Sequence, residues 1–267
     1  SYPYESWEVA TWPTCERLLP QVLAVGGHAE RLGVAGEAAG WLLDRVSTYL
    51  RERGQYRQAK PIAEQAVAIT EAALGPGHPE VAGRHDTLGR VLQALGNLTG
   101  ARAQYERAVA IGEAALGHDH PNVTTYRGNL GLVLRDLGDL EGARAQLERA
   151  LEIRQATLGP DHPTMAFSSN NLGLVLQELG ELDGARAQLE RALEIGEAAL
   201  GPDHREVAVW RGNLGFVLHD LGDLEGARAQ LERALAIDEA ALGADHREVA
   251  TDRARLGSVL QALGDLE

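Results

Sequence analysis

Apolar positions along the chain recur with helical spacing and stop at glycines. Leu172, Val175, Leu176 and Leu179 fall at i, i+3, i+4 and i+7, one stripe of an amphipathic helix that Gly180 ends. Leu182, Ala185, Leu189, Ala192, Leu193 and Ile195 mark a second helix, running to a stop at Leu200 and Gly201. The two-helix text then repeats. A Leu-Gly pair begins at Leu88, Leu130, Leu172, Leu214 and Leu256, at intervals of 42 residues. A glycine corner keeps the same step: GNLTGA from Gly96, GDLEGA from Gly138, GELDGA from Gly180, GDLEGA from Gly222 and GDLE from Gly264, with GQYRQA from Gly54 as a divergent early copy. A period of this length marks a solenoid, whose units bury their apolar faces only against neighbours.

The pattern predicts five antiparallel helix pairs, Glu37 to Leu74, Pro79 to Leu116, Pro121 to Leu158, Pro163 to Leu200 and Arg205 to Leu242, then an unpaired helix from Arg247 to Leu263. Residues 1–36 read as a linker with a capping helix from Cys15 to Leu32, and residues 37–267 as the repeat array. Helix-interior glycines such as Gly173 and Gly184 each cost about 1 kcal/mol relative to alanine, so their recurrence predicts close backbone approach.

The Leu-Gly of the first helix, the glycine corner, the apolar residue and alanine that follow (Leu182, Ala185) and the late Ala-Leu (Ala192, Leu193) resemble the tetratricopeptide repeat family. The long unit and its LGPDHP-type linker are most similar to the kinesin-light-chain-like variety. The resemblance implies an all-α, right-handed α-solenoid of antiparallel helix pairs. It departs from the family in lacking an early tryptophan in the first helix of most copies.

Composition narrows the function. Hydrophobic residues make up 44% and charged residues 24%, an ordinary folded balance. A net charge of -14 and a single lysine, Lys60, argue against nucleic acid as partner. One cysteine, Cys15, makes neither an internal disulfide nor a multi-thiolate metal site, and no apolar run has the length of a membrane span. The N-terminal text lacks the order of a signal peptide. A reducing, cytoplasmic setting follows. The first residue is not methionine and the last stops mid-pattern, so a piece of a longer protein is expected.

The histidines His78, His120, His162, His204 and His246 sit at the same place in each copy, several of them beside an aspartate. Metal or general-base chemistry needs groups that converge, whereas equivalent residues of a solenoid form a row. The turn-and-cap reading therefore outweighs a catalytic or metal one, with Asp161 and its equivalents as caps. The doublet His118 and His120 is the one place for a stray metal. No Walker loop, GxSxG, HExxH or CxxC is present, Cys15 near His28 reads as a core residue, and Arg144 with Glu148 reads as an i,i+4 pair on a solvated face. No catalytic residue, cofactor or resident metal is expected.

The copies differ mainly in their first helices. Second helices repeat ARAQLERALEI almost verbatim, while PTMAFSSNNLGLVLQEL becomes REVAVWRGNLGFVLHDL. Positions five and two before the repeat leucine, and two, five and six after it, lie opposite the core stripe. Two after it stand Arg90, Leu132, Leu174, Phe216 and Ser258, and five before it Gly83, Thr125, Phe167, Val209 and Thr251. Either the middle copies carry an apolar floor for a ligand, or these residues are spacers between stacked units; an apolar patch rimmed by Arg135, Gln177 and His219 favours the ligand. In tetratricopeptide arrays this helix lines the concave surface and its asparagines bond ligand backbones. The resemblance thus implies Asn129, Asn171 and Asn213 as clamps, with Asn170 beside them and Leu132, Phe167, Leu174 and Phe216 as the floor. A clamp for a terminal carboxylate is not evident.

The expected function is non-enzymatic recognition of a peptide or protein segment in the concave groove. WPTCERLLPQVLAVGGHAERLG resembles the segment before the repeat array in bacterial NB-ARC-type (STAND) signal-transducing NTPases, which implies the ligand sensor of a larger switch. The alternative is an assembly scaffold that associates through solenoid ends, favoured by the bare stripe Leu256, Val259, Leu260 and Leu263.

Overall fold

A computed structural model describes residues 8–32 and 36–264. Its described residues form twelve α-helices and no strand, after a short 3₁₀ turn at Val9–Thr11. The helices are α1 (Trp12–Leu32), α2 (Gly36–Glu52), α3 (Tyr56–Leu74), α4 (Pro79–Ala94), α5 (Leu98–Leu116), α6 (Pro121–Asp136), α7 (Leu140–Leu158), α8 (Thr164–Glu178), α9 (Leu182–Leu200), α10 (Arg205–Asp220), α11 (Leu224–Leu242) and α12 (Arg247–Leu263). The first helix starts three residues before the expected Cys15, and α8 starts at Thr164, one residue after the expected Pro163.

The chain divides into two compact units, Ser1–Asp139 and Leu140–Glu267. In the first, α1 packs on α2, α2 on α3, α3 on α4, α4 on α5 and α5 on α6. In the second the same succession runs from α7 to α12. Helices two apart also touch, α4 with α2 and α6, and α10 with α8 and α12, so the even-numbered helices form a wall within each unit.

Glycine makes the corners because the backbone there is left-handed: Gly96 has φ 77° and Gly180 φ 79°, and every corner copy has a positive value. Asn97 and Asp223 then cap α5 and α11, each accepting a backbone N–H two residues into the helix, from Gly100 and Gly226, at 3.0 Å. Gln55 and Glu181, one methylene longer, make no such bond. At the longer linkers the cap is the recurrent histidine, not the aspartate that the sequence suggested. Nδ1 of His78, His120, His162, His204 and His246 accepts the backbone N–H two residues on, at 3.1 to 3.3 Å. Asp161 and Asp203 instead pair with Arg191 and Arg233 on the following second helix.

Close approach occurs where the glycine follows the repeat leucine. A β-carbon on Gly173 would lie 2.8 Å from Leu189, and one on Gly215 would lie 2.8 Å from Leu231. Gly184 is different, because its nearest neighbour would be an ordinary 3.4 Å away. Successive repeats meet through a pair of residues fourteen apart. Gly112 admits the Tyr126 ring, Gly196 admits Trp210, Arg154 donates to Ser168 at 2.5 Å, and Asp238 lies against Asp252. Trp210 is wholly buried where a glycine makes room, and Trp41 on α2 is a second first-helix tryptophan.

Candidate functional site

The wall of even-numbered helices carries most of the side chains that vary between repeats. In the second unit three large apolar residues stand exposed there: Phe167 on α8 at 45%, and Val209 and Phe216 on α10 at 43% and 47%. Phe167 is held in place by its neighbour, with its ring edge-on to buried Trp210, centroids 5.2 Å apart. Leu174 is half-buried. Phe216 walls a cavity of about 240 Å³ between α10 and α12, with Leu231 and Val259 beneath and His219 and Arg255 among its polar lining.

The asparagines are joined into rungs between repeats. Asn129 Nδ2 donates to Asp86 Oδ1 at 2.7 Å, and Asn213 Nδ2 donates to Asn170 Oδ1 at 2.8 Å. The position two before the repeat leucine, expected on the open face, is therefore inside the wall: Asp86 and Asn170 are each only 8% exposed. Asn170 belongs to the support rather than to the surface. The rung uses one amide proton of Asn129 and Asn213 and leaves Oδ1 as an acceptor. Asn171 stands half-buried, its Oδ1 3.5 Å from Asn170 Nδ2.

Rungs also tie the rim. Gln177 Nε2 donates to Asp220 at 3.1 Å, as Gln93 does to Asp136 in the first unit. His219 lies 3.4 Å from Asp220 and tilts towards the Phe216 ring. In the first unit Leu132 and Arg135 are half-buried, and Arg135 lies 3.6 Å from Asp136.

Burial sets the electrostatics beneath this face. Desolvation pushes the Asp86 carboxyl above the usual carboxylate range, against the Asn129 hydrogen bond and Arg90, which pull it down. At the last junction Asp252 is pushed up to about 6 by burial, then by its hydrogen bond to Asp238 and that group's charge. Arg255, 3.8 Å away, opposes this.

The other candidates separate. His120 caps α6 and His118 pairs with Glu113, and among the described residues no three His, Cys, Asp or Glu side chains cluster to hold a metal. Cys15 is buried in the core with Val22, Val46, Tyr49 and Leu50, while His28 is hydrogen-bonded to the Ala24 carbonyl at 2.7 Å. Arg144 makes its expected pair with Glu148 at 2.8 Å and also reaches Glu181.

Two arginines of the first unit were not singled out by the sequence. Arg51 and Arg90 line a cavity of about 260 Å³ with Gln93, Tyr105 and Asn129. Arg90 was visible as the one cation in its row. Arg51 was hidden because its copy has Val46-Ser47 where the others have Leu-Gly, which removes the register mark.

A family model for the tetratricopeptide repeat matches residues 37–110, 82–156, 123–198, 164–240 and 206–267. No curated protein matches the chain. Among solved structures, BtubC (BKLC) from P. vanneervenii superimposes with a TM-score of 0.72 at 24% identity, covering 87% of this chain and 93% of that one. A Podosopora anserina kinesin-light-chain-type protein with nearly identical TPR-like repeats gives 0.65 at 26% identity, covering 75% and 95%. YrrB, a TPR protein with an unusual peptide-binding site, gives 0.52 at 19% identity, covering 79% and 90%.

Proposed function

The chain belongs to the tetratricopeptide repeat family, and from that premise we propose that it is a non-enzymatic recognition module whose even-numbered helices take an extended peptide or protein segment. One observation carries the reading. Phe167, Val209 and Phe216 are exposed apolar side chains on adjacent helices of the second unit, the kind of surface that marks a partner site. Within the second unit Asn171 and Asn213 supply carbonyl acceptors for a ligand backbone and Leu174 extends the apolar lining; Asn129 and Leu132 hold the equivalent positions in the first unit. Gln177 and His219 form its polar rim, with Arg135 at the equivalent position of the first unit, and Asn170 orients Asn213 from below.

The N-terminal resemblance supports reading this module as the sensor of a larger bacterial cytoplasmic STAND-type NTPase. A ligand then drives the switch only by binding the active state better than the resting one. No helix among the described residues is long and apolar enough to cross a membrane.

A displayed random-peptide library is the probe. Wild-type protein should enrich sequences with large apolar residues, and Phe167→Ser with Phe216→Ser should abolish that enrichment while leaving helicity unchanged. Equal enrichment by the double variant would remove the proposal.

A second reading is end-to-end association. Leu256 and Leu260 of α12 are half-buried, whereas their counterparts Leu214 and Leu218 are buried. Light scattering on a form extended by one repeat tests it, and a monomer there eliminates the scaffold.

A further inference from the structure

The junction between α11 and α12 carries a pair of like charges. The positions that meet there hold Asp238 and Asp252, where earlier repeats have Thr70 and Arg84, Gly112 and Tyr126, Arg154 and Ser168, and Gly196 and Trp210. Both aspartates are buried, at 5% and 7% exposure. Asp238 Oδ1 and Asp252 Oδ2 have no hydrogen-bond partner, so the donor within their reach is a proton shared between the two carboxyls. Two ionised carboxylates held together in a place closed to solvent repel each other.

The charged groups around the pair do not cancel that repulsion. On α12, Arg255 lies 3.8 Å from Asp252 but is partly exposed, and Glu248 adds negative charge. On α10, Arg205 feels the Asp238 charge but is bonded to Glu248. Desolvation first, and then Asp238, hold the Asp252 carboxyl up at about 6 against the pull of Arg255. His246, at the start of α12, acts in the opposite sense, because protonating it removes the Nδ1 acceptor that caps the helix.

Helix α12 is also a wall of the cavity beside Phe216. Thr251, Arg255 and Val259 of α12 face Phe216 and His219 of α10 across it, with Leu231 of α11 beneath. Thr251 adjoins Asp252 in the chain. Arg255 pairs with Asp252 and also approaches α10, where a β-carbon on Gly212 would lie 3.2 Å from its guanidinium. A displacement of α12 from α11 therefore changes the cavity.

We propose that the Asp238–Asp252 pair is a proton switch on the apolar recognition site: with a shared proton α12 stays packed on α11 and the cavity beside Phe216 is formed, and when both carboxyls ionise α12 moves away and the cavity loses its shape. Its meaning as regulation rests on the recognition reading above, whereas the coupling of the pair to the cavity does not. Because the carboxyl is raised in the packed form, the stabilisation of that form is whole near pH 4 and is lost as pH rises through about 6.

The test follows the ¹³C-methyl signals of Leu231 and Val259 between about pH 5 and pH 7.5, with an uncharged capped Gly-Phe-Gly peptide as the ligand probe. Both signals should titrate with one midpoint near 6, and the peptide should bind at least fivefold more weakly at the upper pH. Asp252→Asn, whose amide is a permanent donor to Asp238, should hold the signals and the affinity at their low-pH values, and Asp238→Asn should do the same. His219→Gln should leave the midpoint of the methyl signals unchanged, which separates the pair from the imidazole at the cavity mouth. Flat methyl signals in the wild type, the same titration in both Asn variants, a midpoint lost with His219, or a measurable peptide affinity equal at both pH values would each overturn the switch. A peptide that binds at neither pH while the methyl signals titrate would remove the recognition reading and leave the switch standing.

Discussion

The two units are built on one repeated frame but present different chemistry from it. In the first unit the variable positions on the even-numbered helices are Gly83, Arg90, Thr125 and the half-buried Leu132, none of them a large exposed apolar residue, and two arginines line a cavity. In the second, Phe167, Val209 and Phe216 stand exposed among them, beside Leu174, Thr251 and Ser258, and the cavity beside Phe216 has an apolar floor. The frame itself hardly changes: Ala59, Ala101, Ala143, Ala185 and Ala227 are all fully buried, and the glycine corners repeat. Residues that must fill fixed space are held to one type, whereas those on the open wall are free to differ from repeat to repeat.

The junction pairs offer the sharpest way to break this comparison. Trp210 fills the space left by Gly196, so Trp210→Ala should cost about 3–5 kcal/mol, measured by urea denaturation. The loss should be larger than for Tyr126→Ala in the first unit, because the Tyr126 ring is less completely buried. A loss for Trp210→Ala no greater than for Tyr126→Ala would show that the two junctions are equivalent.

The rungs come next. Asn129→Ala leaves a buried carboxylate, Asp86, without its donor, and should cost about 1–3 kcal/mol. Asn213→Ala leaves only the neutral amide Asn170 and should cost about 1 kcal/mol. Equal losses in thermal unfolding would mean that the Asp86 carboxyl is already neutral in the folded protein.

The acid pair gives the second unit a pH dependence. Asp252 is held up at about 6, above the usual carboxylate value, so the folded state keeps a proton that the unfolded chain releases. The stabilisation is complete below the ordinary carboxylate range near pH 4 and is lost as pH rises through about 6. Asp252→Asn should flatten the stability curve over that window, and an undiminished slope in this variant would assign it elsewhere.

The smallest effect is expected at the caps. His204→Ala removes the Nδ1 acceptor at the start of α10 and should cost about 1 kcal/mol, as His78→Ala should for α4. Replacement by asparagine, a strong cap, should restore most of it. Failure of asparagine to rescue either position would show that the histidines act through their rings and not through the cap.

Hydrophobic periodicity and glycine spacing by themselves determined the helices, their boundaries to within a few residues, and the division into a constant second helix and a variable first one. They do so because helix stripes, left-handed corners and caps are local, with partners only a few residues away. Phe167 and Phe216 were legible as wall residues for the same reason, since helical phase alone puts them opposite the core. The tertiary structure decided what depends on the next repeat: that Asn129 and Asn213 are tied to Asp86 and Asn170, that Asp252 lies against Asp238, and that Arg51 meets Arg90. Those partners stand between 14 and 43 residues apart, and a one-helix phase cannot say whether a side chain at the wall's edge meets solvent or the helix beside it. Only the packing of one repeat on the next fixes that choice, and with it which polar groups remain for a ligand.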